Sequence, residues 1–141
     1  MAEKPGFVAE TTFRVRYAET DSMRIVHHRN YLVYFEEGRS EYARLRGYPY
    51  GELERQGTFL AVTEVNIRYV KPALYEQQIT VRTWLTGIQS RGMAFAYEIV
   101  DTLTDEILVE GSSKHICIDR DGKVTRLPDT WRAWKDDLPP A

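Results

Sequence analysis

The order of apolar and polar positions along the chain first predicts a strand and then a long helix. Apolar and polar residues alternate over residues 11–17, as in a β-strand, and residues 21–29 follow without a sustained period, as in a loop. Apolar side chains then recur close to helical spacing at Tyr31, Leu32, Tyr34, Phe35, Tyr42 and Leu45. The side-chain oxygen of Asn30 is expected to cap this helix, and Gly47 followed by Pro49 is expected to end it.

The rest of the chain predicts mainly strands. Residues 51–57 favour a short second helix, and β-branched and aromatic residues then dominate four runs separated by turn-length connections. Such short connections favour antiparallel neighbours. The four runs cover residues 58–72, 78–89, 92–101 and 106–119. An Asp-Gly turn at 119–123 then leads into a predicted short strand at 124–128, and a C-terminal helix is expected at about 129–137.

These elements favour an α+β fold, a five- to six-stranded antiparallel sheet wrapped around one long central helix. The sequence predicts a single domain over residues 1–141, with its core at about 11–128. Gly38 falls inside the long helix at a cost of ~1 kcal/mol relative to alanine, which predicts close packing against another backbone. One helix leaves part of such a sheet uncovered, so we expect the chain to pair with copies of itself.

The composition narrows the possible functions. Of the 141 residues, 43% are hydrophobic and 28% are charged, which is typical of a globular protein of one domain. The net charge of −2 argues against a nucleic-acid-binding surface, which would need a basic excess. Cys117 is the single cysteine, so an internal disulfide is excluded, and no apolar run is long enough to span a membrane or to form a secretory signal. We therefore expect a cytoplasmic protein.

Three polar residues in the loop before the long helix are candidates for chemistry. Asp21 could be a nucleophile or a general base for water, but Thr-Asp-Ser is also ordinary turn chemistry, in which the carboxylate accepts hydrogen bonds from local amides. His27 and His28 could orient a thioester beside the N–H groups of the helix start, or could be polar residues of a surface loop. The local pattern by itself favours the turn aspartate and the surface histidines, with the chemical roles as the alternative.

The other candidate sites are weaker. His115 and Cys117 place two possible metal ligands on one strand face, but the ligand spacings of known zinc motifs are absent. Cys117 lies in an alternating apolar strand, which favours a place in the core. The sequence also lacks a glycine-rich phosphate loop and the nucleophile elbow of serine hydrolases. We therefore expect neither a metal nor an organic cofactor.

The loop and the helix start together resemble a known family. The stretch YAETDSMRIVHHRNYLVYFEEGR, residues 17–39, is similar to the hot-dog-fold acyl-CoA thioesterases of the 4-hydroxybenzoyl-CoA thioesterase family, and most of all to its bacterial branch associated with the Tol–Pal envelope system. The matching positions are Tyr17, Thr20, Asp21, Val26, His28, Asn30, Tyr31, Phe35, Glu36 and Arg39. Later segments at 65–79, 117–123 and 126–128 also match, so the resemblance runs from about residue 11 to about residue 128 and implies a single hot-dog domain.

The resemblance implies roles for particular residues. Asp21 falls on the family's catalytic carboxylate, His28 on the helix-entry position whose backbone N–H holds the thioester oxygen, and Tyr17 on a tyrosine proposed to assist. The implied substrate-binding residues are Val26, His27, Asn30 and Tyr31. The implied activity is the hydrolysis of a short-chain aliphatic or an aromatic acyl-CoA to the free acid and CoA by a homotetramer or a homodimer.

One departure from the family pattern concerns the loop after Asp21. Members of the family often have Ala-Gly-Gly or Pro-Ala-Gly there, whereas this chain has Ser22, Met23 and Arg24. Glycine allows close backbone approach and positive φ angles, so its loss makes the loop bulkier and could reshape or block the acyl pocket. This departure motivates one alternative, a non-catalytic acyl-CoA-binding module. Two others also stay open: a thioesterase acting on acyl carrier protein, and an interaction protein that uses the open sheet edge.

Overall fold

The computed structural model describes residues 7–138, so the predicted domain ends, residues 1–6 and 139–141, lie outside the described range. One 3₁₀ turn follows the first strand, at Tyr17–Glu19, and another follows the last helix, at Ala133–Asp137. The helices and strands, in chain order, are β1 (Ala9–Arg14), α1 (Asn30–Leu45), α2 (Tyr50–Arg55), β2 (Thr58–Tyr69), β3 (Gln78–Ile88), β4 (Gly92–Asp101), β5 (Ile107–Asp119) and α3 (Asp129–Arg132).

The five strands form one antiparallel sheet in the order β1-β3-β4-β5-β2. Helix α1 lies across the sheet and contacts β1, β3 and β4. The predicted α+β class, a five-stranded antiparallel sheet with one long helix, is therefore confirmed. Strand β2 forms one edge of the sheet, and most of its side chains from Val62 onward are exposed. No helix within residues 7–138 is long and apolar enough to cross a membrane.

Helix α1 is held in place by its aromatic face. Its buried residues are Tyr31, Tyr34, Phe35, Gly38, Tyr42 and Ala43. The ring of Phe35 stacks on Tyr97 of β4, with 4.2 Å between the ring centroids and 8° between the planes. Beneath the same ring lies Gly111 of β5, where a Cβ atom would come within 2.6 Å of the Phe35 ring. Because buried apolar area contributes roughly 25 cal/mol per Å², this face fixes the helix on the sheet.

Gly38 packs closely, as predicted, but its neighbours are side chains. A Cβ atom on Gly38 would overlap Oγ1 of Thr83 and would lie 3.0 Å from Cγ1 of Val81. Both residues belong to β3. The prediction that another backbone lies against Gly38 is therefore wrong, since the side chains of β3 fill that space.

The two ends of α1 differ in how well the sequence predicted them. Asn30 is the first residue of the helix, Arg29 occupies the cap position, and the helix has no side-chain cap. The Nδ2 atom of Asn30 instead donates a 2.7 Å hydrogen bond to the carbonyl oxygen of Glu19, so the predicted cap is wrong. The helix ends at Leu45, and Gly47 terminates it as predicted: it lies just beyond the cap residue Arg46, has a φ of 83° and donates its N–H to the carbonyl oxygen of Arg44.

The segment after β5 is less regular than the sequence predicts. The turn at 119–123 is confirmed, because the N–H of Asp119 bonds to the carbonyl oxygen of Lys123 at 2.8 Å. Val124 forms only an isolated bridge, with Ile118, so the predicted strand at 124–128 is wrong. The backbone there bonds to two separate segments, Cys117 and Ser90, rather than to one neighbouring strand. The predicted C-terminal helix is confirmed as α3 and the 3₁₀ turn that follows it.

Candidate active site

The loop before α1 forms a small hairpin. The backbone N–H of Asp21 donates a 2.9 Å hydrogen bond to the carbonyl oxygen of Ile25. At the base of the hairpin, the N–H of His27 donates a 3.0 Å hydrogen bond to the carbonyl oxygen of Glu19. Residues 21–25 are therefore the turn, and the returning arm leads directly into α1. Asp21 lies at the tip of the hairpin and His28 at the helix entry.

Asp21 is half-buried, and its carboxylate makes a turn contact. Its Oδ1 atom accepts a 2.8 Å hydrogen bond from the N–H of Met23, which is the contact expected of a turn aspartate. A carboxylate offers about four lone-pair sites, so this contact leaves capacity to accept a proton or to attack a carbonyl carbon. The turn geometry and the proposed chemistry are therefore compatible in one residue.

One residue of the loop after Asp21, Arg24, has a backbone conformation that favours glycine. Arg24 has a φ of 63°, in the left-handed region. Its carbonyl oxygen accepts a 3.1 Å hydrogen bond from the N–H of Tyr75, so a neighbouring segment supports the strained residue. The side chains of Ser22, Met23 and Arg24 are all exposed. The bulk that replaces glycine therefore lies on the outer side of the loop.

His28 offers a backbone donor at the entry to α1. The ring of His28 is exposed and stacks on the ring of His27, with 4.3 Å between the centroids. Its carbonyl oxygen accepts a 3.1 Å hydrogen bond from the hydroxyl of Tyr69 on β2. Its N–H donates no hydrogen bond to any acceptor within residues 7–138. A free N–H close to the positive end of a helix can bind an oxygen on which negative charge develops.

Two of the predicted substrate-binding residues lie beneath the loop. Val26 is 3% exposed and Tyr31 is 2% exposed, and both contact the backbone of Ala73. The N–H of Val26 donates to the carbonyl oxygen of Ala73 at 2.9 Å, and the N–H of Ala73 donates to the hydroxyl of Tyr31 at 3.1 Å. Burial raises the pKa of Tyr31, so its hydroxyl stays neutral. These contacts support the hairpin from below, and direct contact of either side chain with a substrate stays a prediction.

The other predicted site residues surround the hairpin. His27 is half-buried, and its Nδ1 atom accepts a 3.3 Å hydrogen bond from the N–H of Arg29. Asn30 is also half-buried and joins the helix to the base of the hairpin. Tyr17 is 68% exposed, and its ring meets that of Tyr75 edge to face, with 5.5 Å between the centroids. The structure therefore brings Asp21, His27 and His28 onto one hairpin, with Asn30 at the start of α1 and Tyr17 just before the hairpin.

Glu19 is the residue of this region that the sequence analysis missed. Its carboxylate accepts hydrogen bonds from the hydroxyl of Tyr34 and from Arg16, and its carbonyl oxygen accepts them from His27 and Asn30. Burial first, and the hydrogen bond to Glu19 second, raise the pKa of Tyr34. The sequence signal was an acid three residues after Arg16 in a short turn, the spacing of a capping box.

The second group of polar residues lies away from the hairpin, in the core of β5. His115 is 3% exposed, and its Nε2 atom lies 2.7 Å from Oγ of Ser113. Burial, and secondarily the charge of Arg39, lowers the pKa of His115 to about 3. Cys117 is fully buried, as predicted, and burial raises the pKa of its thiol. Within residues 7–138, His, Cys, Asp and Glu side chains form no cluster of three or more that could hold a metal ion.

Comparison with known proteins places the chain in a family. The family described as the thioesterase-like superfamily matches residues 15–135. The chain belongs to this superfamily. A putative acyl-CoA thioesterase of Bacillus subtilis, YneP, is 36% identical over 114 residues, which cover 81% of this chain and 82% of the relative. The resemblance to hot-dog thioesterases is thereby confirmed, while membership of the Tol–Pal-associated branch stays a prediction.

Two further thioesterases of this kind are similar over most of their length. The structure of a DHNA-CoA thioesterase from Staphylococcus aureus has a TM-score of 0.84 and 33% sequence identity, and the match covers 92% of this chain and 87% of that chain. An acyl-acyl carrier protein thioesterase of Arabidopsis thaliana is 26% identical over 129 residues, which cover 92% of this chain and 69% of the relative. The names of these relatives thus refer to thioesters of two different carriers, CoA and acyl carrier protein.

Proposed function

We propose that the protein is an acyl-CoA thioesterase that hydrolyses a short aliphatic or an aromatic acyl-CoA to the free acid and CoA. The observation that carries this proposal is the N–H of His28 at the entry to α1, which donates to no acceptor within residues 7–138, next to a hairpin that presents the half-buried carboxylate of Asp21. Membership of the thioesterase-like superfamily supports it. The proposal requires neither a metal nor an organic cofactor.

The proposed role of the helix entry is to stabilise charge. As a nucleophile adds to the thioester carbon, negative charge develops on the carbonyl oxygen. The N–H of His28 donates to that oxygen, and the aligned peptide dipoles of α1 add to the effect. Losing one such donor typically costs about 3–4 kcal/mol in the transition state.

The proposed role of Asp21 is to supply or activate the nucleophile. As a general base, it takes a proton from water while the water oxygen bonds to the thioester carbon. The tetrahedral intermediate then collapses, the carbon–sulfur bond breaks, and CoA leaves as a thiolate that takes up the proton. As a nucleophile, Asp21 would instead form an acyl anhydride and release CoA, and water would then hydrolyse the anhydride. Both routes give the same acid and the same thiol.

The proposed assembly is a homodimer or a homotetramer in which the edge strand β2 meets another copy. Val62, Val65 and Tyr69 are exposed on β2, and Leu32 is exposed on the helix beside it. An open strand edge with apolar side chains favours pairing with a second chain. Such pairing would cover a cleft between α1 and β2, lined in part by Leu32, Val62 and Val65, and would surround the acyl group with apolar side chains.

Two alternatives have specific support. The similarity to an acyl-acyl carrier protein thioesterase favours a carrier-protein thioester as substrate. The exposed bulk of Ser22, Met23 and Arg24, in place of the family's small residues, favours an acyl-CoA-binding module without catalysis. The cytoplasmic location and the Tol–Pal association remain predictions, and the proposed reaction does not depend on either.

The test is a thiol-release assay over a panel of aliphatic and aromatic acyl-CoAs and the matching acyl carrier protein thioesters. We expect release of free thiol from at least one acyl-CoA. Release from carrier-protein thioesters alone would transfer the proposal to that substrate class. Binding of acyl-CoA by calorimetry without release over hours would favour the binding module. If the protein neither binds nor hydrolyses any of these thioesters, an acyl-thioester function is contradicted altogether.

A further inference from the structure

Glu19 lies at the centre of the contacts that hold the hairpin to the rest of the molecule. Its side chain is 15% exposed, and both of its carboxylate oxygens accept hydrogen bonds. Oε1 accepts from the hydroxyl of Tyr34 at 2.9 Å and from the N–H of Arg16 at 2.9 Å. Oε2 accepts from the guanidinium group of Arg16 at 2.9 and 2.6 Å. One carboxylate therefore joins the segment after β1 to helix α1.

The main chain of Glu19 holds the other arm of the hairpin. Its carbonyl oxygen accepts hydrogen bonds from the N–H of His27 at 3.0 Å and from Nδ2 of Asn30 at 2.7 Å. These two donors lie on either side of His28 in the sequence. Asp21 follows Glu19 by two residues on the same arm. A displacement of Glu19 would therefore change the position of Asp21 relative to the entry of α1.

We propose that Glu19 is the positioning residue of the active-site hairpin, and that it holds the carboxylate of Asp21 in register with the N–H of His28. The inference rests on the proposed function, in which those two groups act on one thioester. Glu19 does not itself touch the substrate in this mechanism, because both of its carboxylate oxygens are engaged within the protein.

The physical basis of the proposal is the stiffness of charge-assisted contacts. Hydrogen bonds to an ionised carboxylate are shorter and about twice as strong as those between neutral groups. The contacts of Glu19 fix both arms of a hairpin whose turn residues are exposed. Catalytic groups must be held within about 0.5 Å of their working position, and a misplacement of ~1 Å can cost 100-fold in rate.

Two substitutions weaken the contacts of Glu19 without removing its bulk. Glu19→Gln keeps the size and one acceptor oxygen but removes the charge that Arg16 faces. Tyr34→Phe removes a single donor and keeps the ring that packs edge to face on Phe13, with 5.0 Å between the centroids. The matched control is Glu41→Gln. Glu41 pairs with Arg44 at 2.9 Å with the same spacing of three residues, but on α1 away from the hairpin.

The first measurement is steady-state kinetics on an acyl-CoA that the wild type hydrolyses. We expect Glu19→Gln to lower kcat about 10- to 100-fold with little change in KM, and Tyr34→Phe to lower it less. Glu41→Gln should keep the wild-type kcat. In an Asp21→Asn background, Glu19→Gln should cause no further loss, because a residue that acts through Asp21 has nothing left to position. An unchanged kcat, or an equal further loss in the Asp21→Asn background, would overturn the proposal.

The second measurement separates this inference from the proposed function. Amide hydrogen exchange reports the protection of the His27 N–H, which bonds to Glu19. We expect faster exchange there in Glu19→Gln and wild-type exchange in Glu41→Gln. If exchange is faster in Glu19→Gln but the wild type releases thiol from no acyl-CoA, Glu19 still fixes the position of the hairpin. The proposed function then fails by itself. Unchanged exchange together with an unchanged kcat would remove the inference and leave the function intact.

Discussion

The carboxylate of Asp21 accepts a 2.8 Å hydrogen bond from the backbone N–H of Met23, so the candidate catalytic group is part of the turn that carries it. An asparagine at this position keeps the Oδ1 acceptor but cannot take a proton or attack a carbonyl carbon. We expect Asp21→Asn to lower kcat/KM for acyl-CoA hydrolysis about 10²- to 10⁴-fold while the thermal unfolding temperature stays near that of the wild type.

The matched control for this prediction is Asp119→Asn. Asp119 also lies in a turn, and its Oδ1 atom accepts hydrogen bonds from the N–H groups of Asp121 and Lys123 at 2.9 and 3.0 Å. It lies outside the hairpin, so activity should be unchanged. Equal activity of Asp21→Asn and the wild type would contradict the assignment of Asp21.

Arg24 carries a backbone conformation that its side chain disfavours. Its φ of 63° lies in the left-handed region, which costs a non-glycine residue about 1 kcal/mol or more. Glycine removes that cost but adds entropy to the unfolded chain, so we expect Arg24→Gly to be neutral or to stabilise the protein by up to ~1 kcal/mol. Urea unfolding measures the difference. Arg29→Gly is the contrast. Arg29 has a φ of −67°, so glycine relieves no cost there and this substitution should destabilise the protein. A comparable loss at both positions would contradict the role of the positive φ.

Gly38 is required where α1 meets β3. Alanine at this position gains about 1 kcal/mol in helix propensity, but its Cβ would overlap Oγ1 of Thr83. Overpacking of this kind costs roughly 1–3 kcal/mol, so we expect Gly38→Ala to lower the free energy of unfolding by up to ~2 kcal/mol. Adding Thr83→Ala should recover part of the loss. Gly51→Ala in α2 is the control, because a Cβ there meets nothing within 4 Å and should be neutral or stabilising. Stabilisation by Gly38→Ala would show that the helix is free to move away from β3.

His115 makes the stability of the fold depend on pH. Burial lowers its folded pKa from 6.5 to about 3, so the folded state keeps it neutral while the unfolded state binds a proton below about pH 6.5. The unfolded state therefore binds more protons between these two values, and stability falls as the pH falls through that window. At pH 4, the neutral His115 lowers the free energy of unfolding by about 3 kcal/mol relative to its value at neutral pH.

Replacing His115 tests this pH dependence. His115→Gln cannot titrate, and its amide can still bond to Ser113, whose Oγ lies 2.7 Å from the histidine ring. Urea unfolding at about pH 7, 5.5 and 4 should give a flatter profile for this variant than for the wild type. Parallel profiles for the two proteins would show that other groups dominate the acid sensitivity.

The periodic parts of the fold were predictable because periodicity reports which side of an element is buried. The helical spacing of apolar residues gave α1, and the β-rich runs gave four of the five strands of the antiparallel sheet. Gly47 was predicted to end α1 because a positive φ is a local requirement, and the same holds for the Asp-Gly turn after β5. The candidate loop was predictable for another reason, since its spacing of residues matches a known family.

The contacts between residues that are distant in the sequence were decided by the tertiary structure alone. Asn30 has the residue type of a helix cap, yet it bonds to Glu19 because the hairpin brings that carbonyl oxygen within reach. Gly38 meets side chains of β3 rather than a backbone, and residues 124–128 bond to two segments rather than one strand. A local pattern indicates which side chains are buried. The hydrogen-bonding partner of a residue depends instead on which segments the packed core brings together. For the same reason, the convergence of contacts on Glu19 became visible only in the folded chain.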